Sequence, residues 1–345
     1  MNINIKKNIE NRFLNIGFDE AIKIKNQYKI INNASKHNIG KFSFGNKNKN
    51  KIFYVIKRTP GGGFFSNLSY VIKNLEIADK NNYIPIVDMC NFPTMYNQKK
   101  NIYNKKNVWE IYFKQTSNFQ LKDVYKSKNV YFSPNNLKYR LDVFKNIKLK
   151  KIFDKYISIN KNLLNVSNNF CKKNFRNQKI LGIHFRGTDQ KISPGHAFPP
   201  TIYEIKRLID KKIKKQGFEK VFLLTEQLNY YKKIKNEYGD LICGYSYYRA
   251  DKVSDFSNNN RKYHRNKLGI ESLIEAITLS KCDEIIYCET NISLFSIFYS
   301  NFKIKRCHLN KGIKSNRPYI AFFQWYIRYL LPEYVKNFFK TGKNV

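Results

Sequence analysis

From Lys179 onward, short apolar runs alternate with segments whose apolar residues recur at helical spacing. The apolar runs predict strands at 179–185, 219–225, 240–244, 284–288 and 303–307. The segments between them predict helices at about 200–216, 226–238, 267–281 and 291–301. Regular alternation of strand and helix is typical of a parallel sheet, so this half of the chain predicts an α/β, Rossmann-like domain.

The first half of the chain carries one β-loop-α-β pattern. A strand is predicted at 52–56, a Gly-rich turn follows at 58–63, and a helix is predicted from about residue 66. The next strand is predicted at 84–88, a short helix at 109–113, and one long, Lys-rich helix over 149–174. Residues 1 to about 50 are polar with little periodicity, which favours an adaptable N-terminal segment.

These patterns divide the 345 residues into two domains and a tail. We expect an N-terminal Rossmann-like domain over 1–175, a second Rossmann-like domain over 176–315, and a C-terminal helical segment over 316–345. The tail mixes aromatic residues with Arg and Lys, and we expect it to pack back on the first domain. Its composition leaves open a peripheral contact with an anionic membrane surface.

Lysine and arginine outnumber acidic residues by 64 to 25, which gives a formal net charge of +39. The cations are spread along the whole chain rather than focused in one stretch, so we expect no nucleic-acid partner. A ligand with a diphosphate, or an anionic membrane surface, suits this charge equally well. The six cysteines lack metal-binding spacing, and there is no secretory signal or membrane-spanning stretch. We therefore expect a cytoplasmic protein, with contact at the inner face of a membrane left open.

The stretch LGIHFRGTDQKISPGHAFPP at 181–200 concentrates polar side chains directly after a predicted strand. Ligands of parallel α/β sheets bind just beyond the carboxyl ends of strands, so this turn is a candidate site. Its polar residues suit a phosphorylated ligand: His184, Arg186, Thr188, Asp189, Lys191 and His196. Arg186 is the candidate clamp for a diphosphate through charge-assisted hydrogen bonds. The alternative is a polar surface loop or an ordinary salt bridge.

Two other stretches open predicted helices. The sequence GGGFFSN at 61–67 combines close backbone approach with the free N–H groups of a helix start, which suits an anion or a sugar. A tight turn capped by Ser66 is the alternative. The turn ETNIS at 289–293 is a second place where phosphate binding is expected. Glu271 and Glu275 share one face of the preceding helix, an arrangement that is usually a solvated surface.

The turn HFRGTD at 184–189 resembles the first motif of the GDP-fucose-dependent α-1,6-, α-1,2- and protein O-fucosyltransferases. The stretch from Glu275 to Asp283, followed by Thr290–Ser293, is similar to their C-terminal donor motif, and 61–67 is similar to their Gly-rich loop. This resemblance implies a GT-B fold, in which two Rossmann-like domains face each other across a cleft. It also implies an inverting transferase that needs no metal or other cofactor, with the GDP-sugar bound in the C-terminal half and a glycan or polysaccharide as acceptor.

The resemblance implies a role for each matching residue. His184 and Glu275 would contact guanine, and Arg186 would contact the diphosphate. The donor's phosphate or ribose would be held by Thr290, Asn291 and Ser293. The sugar and the acceptor would face Gly62, Gly63 and Asn67 in the N-terminal, acceptor-side domain, and Asp88 is expected on the same side.

The chain departs from this family at two positions. The second Arg of the family's Arg-Arg pair is Gly187 here, so Arg58, Arg249 or Lys191 would have to supply the missing charge. The family's catalytic acid is also absent, which leaves His196 as the nearest candidate base. Asp189 and Asp88 are the other candidates for taking the proton from the acceptor hydroxyl.

No Asp-x-Asp occurs anywhere in the chain, so the usual carboxylate pair for a metal-bound nucleotide sugar is missing. Cations and helix N-termini would then have to stabilise the departing diphosphate. Two alternatives stay open from the sequence. One is a transferase of the same fold that uses another GDP-deoxysugar or a heptose donor. The other is a basic binding or scaffold protein without catalysis.

Overall fold

The computed structural model of the chain describes residues 25–58, 62–98, 100–135, 141–191, 193–251, 260–309 and 312–330. The chain divides into two compact units. The first comprises Met1–Asn165 with Arg261–Ile274, and the second comprises Val166–Asn260 with Glu275–Val345. The helix that contains residues 264–279 therefore begins in the first unit and ends in the second.

The first unit is built on a four-stranded sheet with the order β1-β4-β2-β3. Strands β2 and β3 are parallel, as are β2 and β4, whereas β1 is antiparallel to β4. The strands are β1 (Gly40–Phe42), β2 (Lys47–Ile56), β3 (Ile84–Val87) and β4 (Ser127–Phe132). The helices are α1 (Lys25–Ala34), α2 (Phe64–Lys80), α3 (Trp109–Tyr112), α4 (Leu121–Val124) and α5 (Ile147–Tyr156), followed by α6 (Lys161–Asn174), which continues into the second unit. Its core includes Phe53, Val55, Ile86, Val130 and Phe132.

The second unit is built on a five-stranded sheet with the order β7-β6-β5-β8-β9, and every pair is parallel. The strands are β5 (Ile180–His184), β6 (Lys220–Leu224), β7 (Ile242–Cys243), β8 (Glu284–Tyr287) and β9 (Lys305–His308). The helices are α7 (Ile202–Gln216), α8 (Leu228–Tyr238), α9 (His264–Leu279), α10 (Asn291–Tyr299) and α11 (Pro318–Leu330). Strand β5 is buried along its whole length, as expected for the centre of a parallel sheet that is covered on both faces.

Gly182 shows why the central strand needs a glycine. A Cβ atom at this position would lie 2.6 Å from Leu279 Cδ1 and 3.0 Å from Cys282 Sγ. The end of α9 can therefore pack directly on the backbone of β5. This close approach brings the start of β8 alongside β5.

The α/β prediction is confirmed, because both units contain parallel sheets with intervening helices. The second unit follows the predicted alternation closely, whereas β1, β4 and α1 were not predicted. The facing of two domains across a cleft stays a prediction, as do the domain ranges 1–175, 176–315 and 316–345. In the structure, the first compact unit ends at Asn165 and also includes Arg261–Ile274.

The single helix predicted over 149–174 is wrong. Helix α5 ends at Tyr156 and α6 begins at Lys161. Between them, Ile159 forms an antiparallel bridge with Phe113, and Lys114 N donates to Ser158 O at 2.8 Å. Ile157 and Ile159 are both buried. The extended turn buries these two β-branched residues, and that packing overrides the helical pattern on either side of them.

Candidate functional site

The strand order of the second unit reverses direction between β5 and β8. The chain moves outward from β5 to β6 and β7 on one side, and to β8 and β9 on the other. His184 at the end of β5 is paired in register with Tyr287 at the end of β8. Residues that follow these two strands therefore meet at one edge of the sheet, at the switch point where doubly wound sheets bind ligands.

Helix α10 begins at this edge with a capping box. Thr290 Oγ1 accepts a hydrogen bond from Ser293 N at 3.3 Å, and Ser293 Oγ accepts one from Thr290 N at 3.2 Å. Ser293 is fully buried, and its hydroxyl also lies 3.0 Å from the carbonyl oxygens of Cys288 and Thr290. Ser293 therefore fixes the start of the helix, and its predicted donor contact stays a prediction.

His184 is buried beside this cap, with Nδ1 3.2 Å from Thr290 Oγ1. Burial and, second, the charge of Arg186 lower the pKa of His184 to about 3, so the imidazole is neutral. Because the Ser293 hydroxyl has carbonyl oxygens to donate to, the Thr290 hydroxyl can donate to His184 Nδ1. That arrangement puts the proton of the ring on Nε2.

Two buried polar atoms at this edge have no hydrogen-bond partner within the described residues. They are Nε2 of His184 and Oδ1 of Asn291, the first residue of α10. An unpaired buried donor or acceptor is rare in native proteins and costs about 1–3 kcal/mol. Together at the start of α10, these two atoms indicate a site for a ligand that offers both a hydrogen-bond acceptor and a hydrogen-bond donor.

Arg186 lies in the loop after β5 and is partly exposed. Its Nε is 3.7 Å from Oε1 of Glu226, which also accepts a hydrogen bond from Gly187 N at 3.0 Å. The position that a Cβ atom at Gly187 would take lies 1.8 Å from Gln227 Oε1. The side chain of Gln227 thus fills the space that a side chain at position 187 would occupy.

Glu275 belongs to a second cluster, formed with Arg249. The Arg249 guanidinium is buried, donates to the carbonyl oxygens of Thr225 and Tyr245 at 3.0 and 2.8 Å, and lies 3.4 Å from Glu275 Oε1. It also lies 4.1 Å from the centre of the Tyr231 ring. Arg249 therefore holds the loop after β7 in place, and the predicted contact of Glu275 with guanine stays a prediction.

His196 is exposed in the loop that precedes α7. This loop pairs with residues 312–315 through the Ala197–Ile313 bridge and through hydrogen bonds from Gly195 N to Ser315 O and from Lys314 N to His196 O, both 3.0 Å. His196 Nδ1 is 2.8 Å from Pro194 O. Because a carbonyl oxygen only accepts, this hydrogen bond requires a proton on Nδ1.

Three other candidate residues, Thr188, Asp189 and Lys191, lie in the loop after β5. Asp189 lies in a 3-10 turn at Thr188–Lys191, but its side chain and that of Thr188 are outside the described residues. Lys191 is half-buried, with Nζ 4.4 Å from the centre of the Tyr230 ring. Burial lowers the pKa of Lys191, while Glu226 and Asp251 act in the opposite direction. Tyr230 in turn stacks on Phe185 with ring centres 4.3 Å apart.

In the first unit, Asn67 closes the Gly-rich loop onto α2. Its Oδ1 accepts from Gly62 N at 2.8 Å, and its Nδ2 donates to Gly62 O at 3.1 Å. Helix α2 begins at Phe64 with Gly63, rather than Ser66, as the capping residue. A Cβ atom at Gly63 would meet no atom of the described chain within 4 Å, so the space above this residue is open. Gly61 lies outside the described residues.

Asp88 follows β3 and is fully buried. One carboxylate oxygen accepts from Cys90 N and Asn91 N at 2.9 and 2.8 Å, and the other accepts from Asn91 Nδ2 at 2.7 Å and Tyr125 OH at 2.5 Å. Burial raises the pKa of Asp88, and these hydrogen bonds oppose the rise. The four bonds are those of a residue that shapes the turn, and its predicted acceptor-side role stays a prediction.

No family model matches the chain, and a search of curated proteins found no relative. Solved structures of fucosyltransferases are similar to it. NodZ α-1,6-fucosyltransferase co-crystallised with GDP has a TM-score of 0.47 and 13% identity, over 74% of this chain and 93% of that one. NodZ from Bradyrhizobium has a TM-score of 0.45 and 13% identity over 74% and 94%.

Two further structures are similar at lower scores. POFUT1 without ligand has a TM-score of 0.43 and 10% identity over 74% of this chain and 97% of that one. A mutant of Arabidopsis thaliana FUT1 in complex with GDP has a TM-score of 0.42 and 10% identity over 86% and 82%. At these identities and scores, the likenesses do not establish an activity for this chain.

Sequence reasoning missed Glu226 and Gln227. Both follow β6, the strand beside β5. Glu226 accepts a hydrogen bond from Gly187 N and lies near Arg186, and the Gln227 side chain lies against Gly187. The sequence did carry a signal for these two residues, because polar residues directly after a predicted parallel strand lie at the ligand-binding edge of the sheet. The adjacency of β5 and β6 was needed to connect that signal with Arg186.

Proposed function

We propose that the chain is an inverting, metal-independent glycosyltransferase. It would transfer fucose, or a related GDP-activated sugar, to a hydroxyl group of a glycan during synthesis of a surface polysaccharide or other glycan. The observation that carries the proposal is the neutral, buried His184, whose Nε2 is unpaired within the described chain at the start of α10. Arg186 in the same loop adds the positive charge that a diphosphate requires.

The donor would bind across the carboxyl edge of the second sheet. His184 Nε2–H would donate to an acceptor atom of the guanine base, with Thr290 holding the ring in the required tautomer. The diphosphate would lie against the N-terminus of α10 and the Arg186 guanidinium. Arg186 Nε lies 3.7 Å from Glu226 Oε1, and the guanidinium would exchange this ion pair for the diphosphate when the donor binds.

The reaction is a single displacement. The acceptor hydroxyl oxygen bonds to the anomeric carbon, the bond from that carbon to the diphosphate oxygen breaks, and a base takes the hydroxyl proton. Negative charge grows on the departing GDP, so Arg186 stabilises the transition state more than the ground state. Among the three candidates for the missing second cation, Lys191 lies in the same loop as Arg186, whereas Arg249 is held by carbonyl groups and Glu275.

His196 is the proposed base. The hydrogen bond from Nδ1–H to Pro194 O leaves Nε2 able to accept a proton, and the ring is exposed to an incoming acceptor. Asp189 and Asp88 are the alternatives. Asp88 would have to give up bonds to Asn91 and Tyr125 to act.

A thermal-shift panel of GDP, UDP, CMP and ADP tests the donor assignment. A ligand that binds only the folded state raises the melting temperature, so GDP should give the largest shift. Slow hydrolysis of GDP-fucose then distinguishes an enzyme from a binding protein. A shift with UDP and none with millimolar GDP would overturn the proposal, and preference for duplex nucleic acid over GDP would support the scaffold alternative.

Arg186→Ala should lower turnover by about 100- to 1000-fold while the protein still melts cooperatively. Arg186→Lys should restore little, because the two-pronged geometry is lost. The exposed Arg207 on α7 provides the matched control, and Arg207→Ala should keep full activity. Near wild-type turnover in Arg186→Ala would remove this residue from the mechanism.

His196→Ala should lower turnover by about 100-fold or more with the GDP-induced shift unchanged. The exposed His37 is the matched control, because His37→Ala removes the same ring from the other compact unit. An equal loss of GDP affinity and rate would move His196 to donor binding. Asp189→Asn and Asp88→Asn would then decide between the remaining bases.

Two further measurements test the acceptor side and the metal. Gly63→Ala meets no steric conflict in the described chain, so it should fold normally and raise the acceptor KM while the GDP shift is retained. Activity should survive EDTA, since the sequence lacks Asp-x-Asp. Loss of activity that magnesium or manganese restores would contradict the metal-independent mechanism.

One observation favours a related GDP-sugar as the second candidate donor. Gln227 occupies the space of the missing arginine side chain, so the surroundings of the leaving group differ from those of the resembled family. Turnover of a panel of GDP-sugars would decide this. A preference for a GDP-deoxysugar or a GDP-heptose over GDP-fucose would keep the fold and mechanism and change the donor.

A further inference from the structure

Helix α11 presents an apolar face to solvent. Among the residues of α11 whose side chains the structure describes, only Ala321 and Trp325, on the opposite side, are buried, with relative exposures of 0% and 4%. The outward residues are aromatic or aliphatic and strongly exposed: Tyr319, Ile320, Phe322, Phe323, Tyr326, Ile327 and Leu330. Phe323 is 61% exposed and Leu330 is 78% exposed. A surface helix normally has the reverse pattern, with its apolar stripe turned inward.

The exposed residues form one continuous stripe rather than scattered positions. They recur at spacings of three and four along three turns, and the ring of Phe322 contacts the rings of Phe323 and Tyr326 with centres 5.8 and 4.7 Å apart. A contiguous apolar patch of this kind marks an interaction surface. Tyrosine and phenylalanine are also the residues that favour the boundary between water and lipid.

The sequence on both sides of α11 is rich in cations. From Lys303 to Val345 the sequence holds ten lysines and arginines, and Glu333 is the single acid. Arg317 lies directly before the helix and is exposed. An apolar aromatic stripe in a cationic stretch of a chain of formal charge +39 complements an anionic surface with an apolar interior.

We propose that α11 docks the protein on an anionic lipid surface, with its apolar stripe at the boundary between headgroups and acyl chains. No helix in the described part of the chain is long and apolar enough to cross a bilayer, so α11 lies on the membrane. A second copy of the chain fits this stripe less well, because self-association would bring together two proteins of formal charge +39. The inference is independent of the proposed transferase activity.

Co-sedimentation with vesicles tests the proposal on the full-length protein. The protein should bind vesicles of phosphatidylcholine mixed with phosphatidylserine at physiological salt, and bind phosphatidylcholine alone much more weakly. The double variant Phe323→Glu/Ile327→Glu should lower binding to the anionic vesicles by about tenfold or more. High salt should weaken the wild-type interaction through screening.

The control variant Ile147→Glu/Tyr203→Glu makes the same change in charge at exposed apolar residues elsewhere, and it should bind like wild type. Melting temperature shows that both variants fold. Equal vesicle binding by the α11 variant and its control would overturn the proposal, as would absence of binding by wild type. A wild-type dimer that the α11 variant converts to monomer, without vesicle binding, would assign the stripe to a second copy.

Discussion

Lys57 is expected to make the stability of the first unit depend on pH. It follows β2 and is 2% exposed, with Nζ bonded to Asn135 Oδ1 and 5.6 Å from the centre of the Phe92 ring. Within the described residues it has no acidic partner. Burial lowers the pKa of Lys57 to about 7, against 10.5 for an ordinary lysine. The folded state therefore holds this proton more weakly than the unfolded chain does.

The sign follows from proton binding. Between about pH 7 and pH 10.5 the unfolded chain binds more protons at this position than the folded chain, so stability rises with pH. At about 1.4 kcal/mol for each tenfold change in proton affinity, a fall from 10.5 to about 7 corresponds to a cost of roughly 5 kcal/mol below pH 7. That cost declines as the pH rises through this window.

Lys57→Met keeps the apolar stem and removes the titrating amine. The difference in unfolding free energy between this variant and wild type should shrink by up to about 4 kcal/mol from pH 7 to pH 10. The chain has two tryptophans, with Trp109 in the first unit and Trp325 in the second. In a Trp325→Phe background, fluorescence during urea unfolding follows the unit that contains Lys57.

The exposed Lys128 on β4 is the matched control, because it belongs to the same sheet and is in contact with water. The difference between Lys128→Met and wild type should stay constant across the same pH range. Curves for Lys57→Met and wild type that run parallel from pH 7 to pH 10 would refute the argument, because they would show that the Lys57 amine is solvated in the folded state.

Two other predictions concern the second unit. Lys212 and Glu284 form a buried ion pair, so Glu284→Gln should lower the unfolding free energy by about 3–5 kcal/mol. The double variant Lys212→Met/Glu284→Leu should recover most of that loss, because it leaves no unpaired buried charge. Trp325 fluorescence in a Trp109→Phe background measures both unfolding free energies, and additive effects of the two substitutions would contradict the pairing. Gly187→Arg should lower the melting temperature because Gln227 occupies the space, and adding Gln227→Ala should restore it. Wild-type melting of Gly187→Arg alone would show that Gln227 moves aside freely.

The three central strands of the second sheet were predictable because they are buried along almost their whole length and their sequences are apolar runs. Strands β5, β6 and β8 lie within the predicted ranges 179–185, 219–225 and 284–288. Strand β4 was missed because its sequence, SKNVYF, begins with three polar residues and has no such run. A short, partly exposed strand of this kind is defined by its neighbours in the sheet rather than by its own composition.

The site was predictable residue by residue but not as an arrangement. His184 and Thr290 were each singled out from local sequence, yet their contact depends on β5 and β8 being neighbours, which strand order alone provides. The position of Asp88 likewise pointed to a polar role at a strand end. Its enclosure by Asn91 and Tyr125 is a tertiary property that local sequence does not contain.

The two outer strands of the five-stranded sheet bear on how this chain behaves at high concentration. Strand β7 has two residues, and β9 presents exposed Lys305 and Arg306 along the other side. Unpaired backbone groups at the side of a sheet are where a foreign strand can add, and short or charged outer strands oppose that addition. Lengthening β7 or neutralising the cations of β9 would therefore let another chain pair with an edge of this sheet and would promote aggregation.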